Sequence, residues 1–180
     1  MRALAINDVA SEKKIHLKKR TSIIGWIQFA VLIGLILFTF RFATGLEIIN
    51  GNSMNPTISH NSVLFINKIF FTPQRGDIVV LESPQGYQII KRIIGMPGDI
   101  ISITNGTLYL NGNPVEETYT NGQSIDIMET TVPEGEIFVI GDNRPPGESL
   151  DSRDPNIGTF PLRNIVGIAM FSIFPLNNIK

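Results

Sequence analysis

A serine hydroxyl and a lysine amine are the two groups in this chain best suited to act together as catalysts. Ser53 sits in Gly51-Asn52-Ser53-Met54-Asn55-Pro56-Thr57, and Lys91 follows in Tyr87-Gln88-Ile89-Ile90-Lys91-Arg92-Ile93-Ile94-Gly95. A serine hydroxyl is a weak nucleophile and needs a neighbouring base. A lysine can be that base only when neutral, and at its unperturbed pKa of ~10.4 fewer than about one in a thousand is neutral at pH 7. Burial among apolar side chains lowers the pKa by ~3–5 units. In a strand, residues 89, 91 and 93 share one face, so Lys91 emerges between Ile89 and Ile93 while Arg92 points the other way. A hydroxyl and an amine presented just past an apolar run suggest a Ser/Lys hydrolase with membrane-borne substrates.

Each segment taken singly has an ordinary structural explanation. Serine beside glycine is common turn chemistry, and Lys-Arg in a strand often protects an edge. Gly141-Asp142-Asn143-Arg144 reads as a turn with a salt bridge, and Ser149-Leu150-Asp151-Ser152-Arg153-Asp154 as a polar loop. Other chemistries have little support. The chain has no cysteine, which excludes thiol catalysis and disulfides. His16 and His60 are the only histidines, and neither has metal-ligand spacing with a glutamate, so a zinc hydrolase is not expected. A Ser-His-Asp triad would have to use His60, close behind Ser53 in the chain.

The elements that must position these groups are an apolar helix and a β-rich body. Residues 22–40 carry no charge. At ~1.5 Å per residue they span roughly 28 Å, close to the hydrocarbon thickness of a bilayer. Residues 1–20 hold six basic and two acidic side chains, whereas the remaining 160 residues hold nine basic and fourteen acidic ones. The positive-inside rule then places residues 1–20 in the cytoplasm as a basic tail, 21–42 in the membrane, and 43–180 outside. A buried core helix and a cleaved signal peptide compete with this. The first rarely lacks a polar face. The second is shorter and ends at small residues, whereas this run ends in Phe38, Phe40, Arg41 and Phe42. The acidic body argues against nucleic acid as a partner.

Beyond residue 46, short β-branched runs alternate with turn residues. Strands are expected at Val63–Ile66, Asp77–Leu81, Tyr87–Ile94, Asp99–Ile103, Thr107–Leu110, Glu136–Ile140 and Ile165–Phe171. Asn105-Gly106 is a strong hairpin signal, and Asn111-Gly112, Asn121-Gly122 and Pro97-Gly98-Asp99 mark further turns. The expected fold is mainly β: antiparallel sheets forming a curved or partial-barrel catalytic domain behind one N-terminal transmembrane helix.

Together and in this order, the segments resemble type I signal peptidases. The match runs the length of the chain. It comprises the basic tail, the single span, the Ser53 motif, the strand motif Arg75-Gly76-Asp77-Ile78-Val79-Val80, the Lys91 motif through Asp99, and the C-terminal segments at 141–144 and 149–153. The resemblance implies a membrane-anchored serine endopeptidase without metal or cofactor. It would remove signal peptides from secreted precursors after Ala-X-Ala, with Ser53 as nucleophile and Lys91 as general base. Its partners would be membrane-bound precursors, the lipid bilayer and the secretion machinery. Ser149 matches the hydroxyl that orients the lysine amine. Asp142, Arg144, Asp151 and Arg153 match polar residues that brace the site, and the Ser53 N–H matches an oxyanion donor. Some relatives have a second donor, a serine two residues before the nucleophile, where this chain has Gly51.

An extended peptide on a sheet edge sends alternate side chains to one face, so two shallow apolar pockets would read the first and third residues before the cut. Ile49 and Ile90 are candidate walls. Met54 and Ile69-Phe70-Phe71 are candidate membrane contacts. The chain departs from the family at Pro145-Pro146-Gly147-Glu148, which lengthens the spacer before Ser149, and at Asp154-Pro155-Asn156-Ile157. Two alternatives stay open. One is a specialised or catalytically silent homologue in pilin or surface-protein assembly. The other is a self-cleaving repressor-type protease, against which the span and basic tail weigh.

Overall fold

The computed structural model describes residues 2–83 and 86–179, with side chains from residue 23 onward. The side chains of the N-terminal basic cluster therefore lie outside the described residues. The chain divides into two units at Phe42/Ala43. The first is α1 (Arg2–Ala43), one continuous helix through both the basic segment and the apolar run. Its Ile23–Ala43 stretch is long and apolar enough to cross a membrane, and none of it is buried in protein.

The second unit is built of antiparallel strands. A seven-stranded sheet has the order β1-β2-β11-β3-β4-β9-β10 and curls into a half-barrel. Its strands are β1 (Thr44–Ile48), β2 (Val63–Asn67), β3 (Ile78–Glu82), β4 (Gln88–Gly95), β9 (Glu136–Ile140), β10 (Phe160–Pro161) and β11 (Ile165–Phe174). A four-stranded sheet has the order β7-β6-β5-β8, from β5 (Ile100–Thr104), β6 (Thr107–Leu110), β7 (Asn113–Pro114) and β8 (Ile127–Thr131). The last apolar stretch of the chain is thus a strand.

Alternation along β3 and β4 explains why these strands read as unbroken apolar runs. Ile78, Val80 and Ile90 join one core cluster with Met54, Ile58, Leu64 and Ile66. Val79, Leu81 and Ile93 join a second on the opposite face, with Ile137, Val139 and Phe160. Both faces of the central strands are covered, so neither needs polar residues. A third cluster joins the small sheet to the large one through Ile94, Ile101, Ile103, Phe138 and Ile140. Asn105-Gly106 forms the β5–β6 turn with both residues at positive φ, directly between the pair Thr104 and Thr107.

The seven expected strands are present, Thr107–Leu110 and Glu136–Ile140 at the expected bounds and the other five with ends shifted by one to three residues. Sequence patterning missed β1, β7, β8 and β10. Of these, β7 and β10 are two residues long, and β8 carries a mostly exposed, polar Met-Glu-Thr-Thr run with no alternation to read. Met54 is a second correction. It is fully buried in the first core cluster and cannot rest on a surface. Phe70 is fully exposed at φ 51°, whereas Phe71 packs against the second cluster.

Candidate active site

Ser53 lies in the loop between β1 and β2. The loop closes on itself through Asn55 N–H to Asn52 O (3.0 Å) and Ile58 N–H to Met54 O (2.9 Å). Met54 and Ile58 are buried as pegs in the core. This leaves Ser53, next to the first peg, half-exposed on an anchored turn. His60 Nδ1 accepts from the Gly51 N–H at 3.1 Å, so this imidazole braces the base of the loop.

Lys91 arrives on β4, paired with Val79 of β3. It is 3% exposed. Its Nζ donates to Ser53 Oγ and to Ile90 O, both at 2.9 Å. Burial drives the amine pKa down from 10.5 to about 8; the Asp151 and Asp142 charges oppose the shift and Arg153 assists it. A neutral amine at this distance accepts the serine proton in place of donating. The depression also carries a stability cost. Between pH 8 and 10.5 the unfolded amine holds more protons than the folded one, so folding stability rises with pH across that window. Below it the full cost is present. Lys91→Met is therefore expected to stabilise the fold at pH 7, by up to about 3 kcal/mol. Chemical denaturation of the full chain in detergent measures this, and a variant less stable than wild type would contradict the burial argument.

Register brings the C-terminal segment to Ser53 and Lys91. Arg92 pairs with Ile140 across β4 and β9, so the next residue pair sets Gly141 opposite Lys91. A Cβ on Gly141 would strike both the Ser53 carbonyl and the Ser149 hydroxyl, so only glycine allows this approach. The adjacent Asn143 is a residue that sequence reasoning missed. Its N–H donates to Ser53 O at 3.0 Å and its Nδ2 to Asn52 O at 3.1 Å, tying the nucleophile loop to the end of β9. The only available sequence signal was its place inside the Gly141–Arg144 motif.

The four charged bracing residues each have a counter-ion. Asp142 accepts Arg92 Nε (2.9 Å) and Nη2 (2.7 Å) and the Thr57 hydroxyl (2.5 Å). Arg92 lies 4.1 Å over the Tyr119 ring. Arg144 makes a bidentate pair with Glu117 at 2.5 and 2.6 Å, and this pairing raises its pKa against the opposing effect of burial. Asp151 pairs with Arg153 at 2.8 and 2.9 Å and also accepts the Gly141 N–H at 3.0 Å. Burial alone would push the Asp151 carboxyl up; its pairing with Arg153 and these donors hold it below the usual range. Arg92, Thr57, Glu117 and Tyr119 were not foreseen, because their partners lie 27 to 85 residues away.

Ser149 lies against Gly141, beside the Ser53 carbonyl. Its Oγ donates to Asp151 Oδ2 at 2.6 Å, and the hydrogen bonds of Lys91 go to Ser53 and Ile90 instead. The carboxylate, with no proton of its own, captures the hydroxyl more strongly than an amine would. Among the described residues, cavities border Ser53 and Lys91 on two sides. One of about 210 Å³ is walled by Ile48, Ile49, Val80, Ile89 and Ile90, so both expected wall residues line it. The other, of about 520 Å³, extends from Ser53 and Lys91 toward Glu148, Asp154 and Tyr87. Among the described residues the Ser53 N–H has no protein partner. No group of three His, Asp or Glu among them could hold a metal ion.

Comparison with known proteins decides the family. Residues 20–174 match the family model described as signal peptidase, peptidase S26. The chain belongs to the signal peptidase family. Signal peptidase I P of Bacillus subtilis subsp. natto is 36% identical over 181 residues, covering 91% of this chain and 95% of that protein. Signal peptidase I S of Bacillus subtilis (strain 168) is 34% identical over 186 residues, covering 93% and 98%. The crystal structure of a signal peptidase I from Enterococcus faecalis V583 is 34% identical, covers 56% of this chain and 98% of that one, and superposes with a TM-score of 0.48. The family match and the two Bacillus relatives agree on signal peptidase, so this chain is a peptidase, and a specialised assembly role is not favoured. Its one N-terminal apolar helix fits a single-pass membrane protein.

Proposed function

We propose that this signal peptidase cleaves membrane-bound precursors after Ala-X-Ala through a Ser53/Lys91 dyad. The observation that carries the reading is the 2.9 Å contact between Ser53 Oγ and an amine that is almost wholly buried. Neutral Lys91 takes the hydroxyl proton as Ser53 Oγ attacks the carbonyl carbon of the last signal-peptide residue. The oxyanion forms beside the Ser53 N–H, which has no competing partner among the described residues. The lysine ammonium then gives its proton to the amide nitrogen, and the C–N bond breaks. The mature chain leaves with a free amine, and the signal peptide stays as an ester on Ser53. A water loses its proton to Lys91 and attacks the ester; Oγ leaves and regains the proton. Asp142, Arg144, Asp151 and Arg153 act by holding Gly141, Asn143 and the Ser53 loop in place, and Ser149 acts through Asp151. The cavity bounded by Ile49 and Ile90 receives the small side chains before the cut.

In this reading α1 crosses the bilayer with its basic end in the cytoplasm and residues 43–180 outside, where secretion machinery delivers precursors. The test is cleavage of an Ala-X-Ala precursor by the full chain in vesicles. Product N-termini should begin directly after the second alanine, and an inert enzyme would sink the reading. The pH dependence is fixed by the sign of the lysine shift. The kcat/KM is expected to rise tenfold per pH unit below about 8 and to level off above it. A profile flat from pH 6 to pH 9 would exclude Lys91 as the base.

A further inference from the structure

The two chain-specific segments at 145–148 and 154–157 gain a role from the larger cavity beside the dyad. Both contribute to its wall: Glu148 from one and Asp154 from the other. Glu148 Oε2 accepts from Asn143 Nδ2 at 3.1 Å, and Asp154 Oδ1 accepts from the Asn156 N–H and Nδ2, both at 2.9 Å. Among the described residues neither carboxylate has a lysine or arginine partner. The only cationic side chain on the wall is Lys91, which the reaction requires to be neutral. A second observation is independent of these charges. Ser83, also on this wall, is 6% exposed, and among the described residues its Oγ has no hydrogen-bond partner. A buried hydroxyl left without a partner is costly, which marks it as a group awaiting one.

We propose that this cavity receives the first residues of the mature chain and selects a cationic side chain there. The inference rests on the Ser53/Lys91 reading, because the dyad borders both cavities. In that reading the smaller one, bounded by Ile49 and Ile90, takes the small residues before the cut, so the segment after it must take the other side. That side is larger, bordered by two unneutralised carboxylates and supplied with a spare hydroxyl. A volume of about 520 Å³ is within the range of sites that enclose a ligand. Complementary charge there discriminates among substrates by favouring one sign and opposing the other.

The test compares three precursors of the same Ala-X-Ala signal peptide with lysine, glutamine or glutamate at the first two mature positions, cut by the full chain in detergent. Wild type is expected to show a kcat/KM for lysine over glutamate of about tenfold, with glutamine between. Glu148→Gln, which keeps an acceptor for Asn143, should bring the ratio to about threefold, and Glu148→Lys should invert it. Ser83→Ala should raise KM about fivefold for all three. A ratio near one in wild type, a ratio unchanged by both Glu148 substitutions, or an unaltered KM in Ser83→Ala overturns the proposal while the dyad reading stands. Failure of wild type to cut any of the three overturns both.

Discussion

Ser53→Ala and Lys91→Ala are each expected to lower precursor processing by about ten thousand-fold or more, with the double variant no worse than either alone. The reason is that the hydroxyl and the amine form one unit. Without Lys91 the serine hydroxyl has no base within reach among the described residues, since its 2.9 Å contact is with Lys91 and His60 is engaged by the Gly51 N–H. Without Ser53 the amine has no acyl acceptor. Neither loss should unfold the domain, because Ser53 is half-exposed and Lys91 carries a stability cost that its removal relieves. Single-turnover cleavage in vesicles, with circular dichroism of the same preparations, reads both quantities. Processing by Lys91→Ala within tenfold of wild type would overturn the mechanism.

Asp142→Ala should have the largest effect on stability among the bracing residues, about 3–5 kcal/mol. Both partners of the Arg92–Asp142 pair are nearly inaccessible, with side chains 5% and 0% exposed. Removing the carboxylate strands a buried guanidinium whose other supports are Gly76 O and the face of Tyr119. It also frees the Thr57 hydroxyl at the end of the nucleophile loop. The double variant Arg92→Met, Asp142→Leu should recover most of the loss, because it removes both charges and leaves neither unpaired. Urea denaturation in detergent measures the cycle. A loss below about 1 kcal/mol in Asp142→Ala, or a double variant as unstable as the single, would show that the pair is not the support described.

Much of the β domain was legible in the chain because its strands obey local rules. Glycine and asparagine mark the hairpins, and β-branched runs mark the central strands. The weak points were also local. β8 has no alternation to read, and β7 and β10 are too short to carry a pattern. Met54 sits beside the nucleophile in a polar stretch and looks exposed, but its loop folds back and drives it into the core. Ser149 was placed by its order in a motif, and that order does not specify which of two nearby acceptors wins. Asp151, two residues on, offers a carboxylate oxygen at 2.6 Å.

The order of residues was enough to single out Ser53 and Lys91 as the candidate pair. It also marked the apolar segment as membrane-compatible and showed that Lys91 would sit among isoleucines. Those properties follow from side-chain chemistry and near-neighbour spacing, which the chain carries in one dimension. What joined the pair was the packing of β4 between β3 and β9, with a loop whose serine lies 38 residues earlier pegged beside them. Arg92 and Asp142, or Arg144 and Glu117, have no local signal for each other; only the strand register and closed loops bring them within 3 Å. Charge pairing of this kind depends on distance in space, and a linear pattern does not contain that distance.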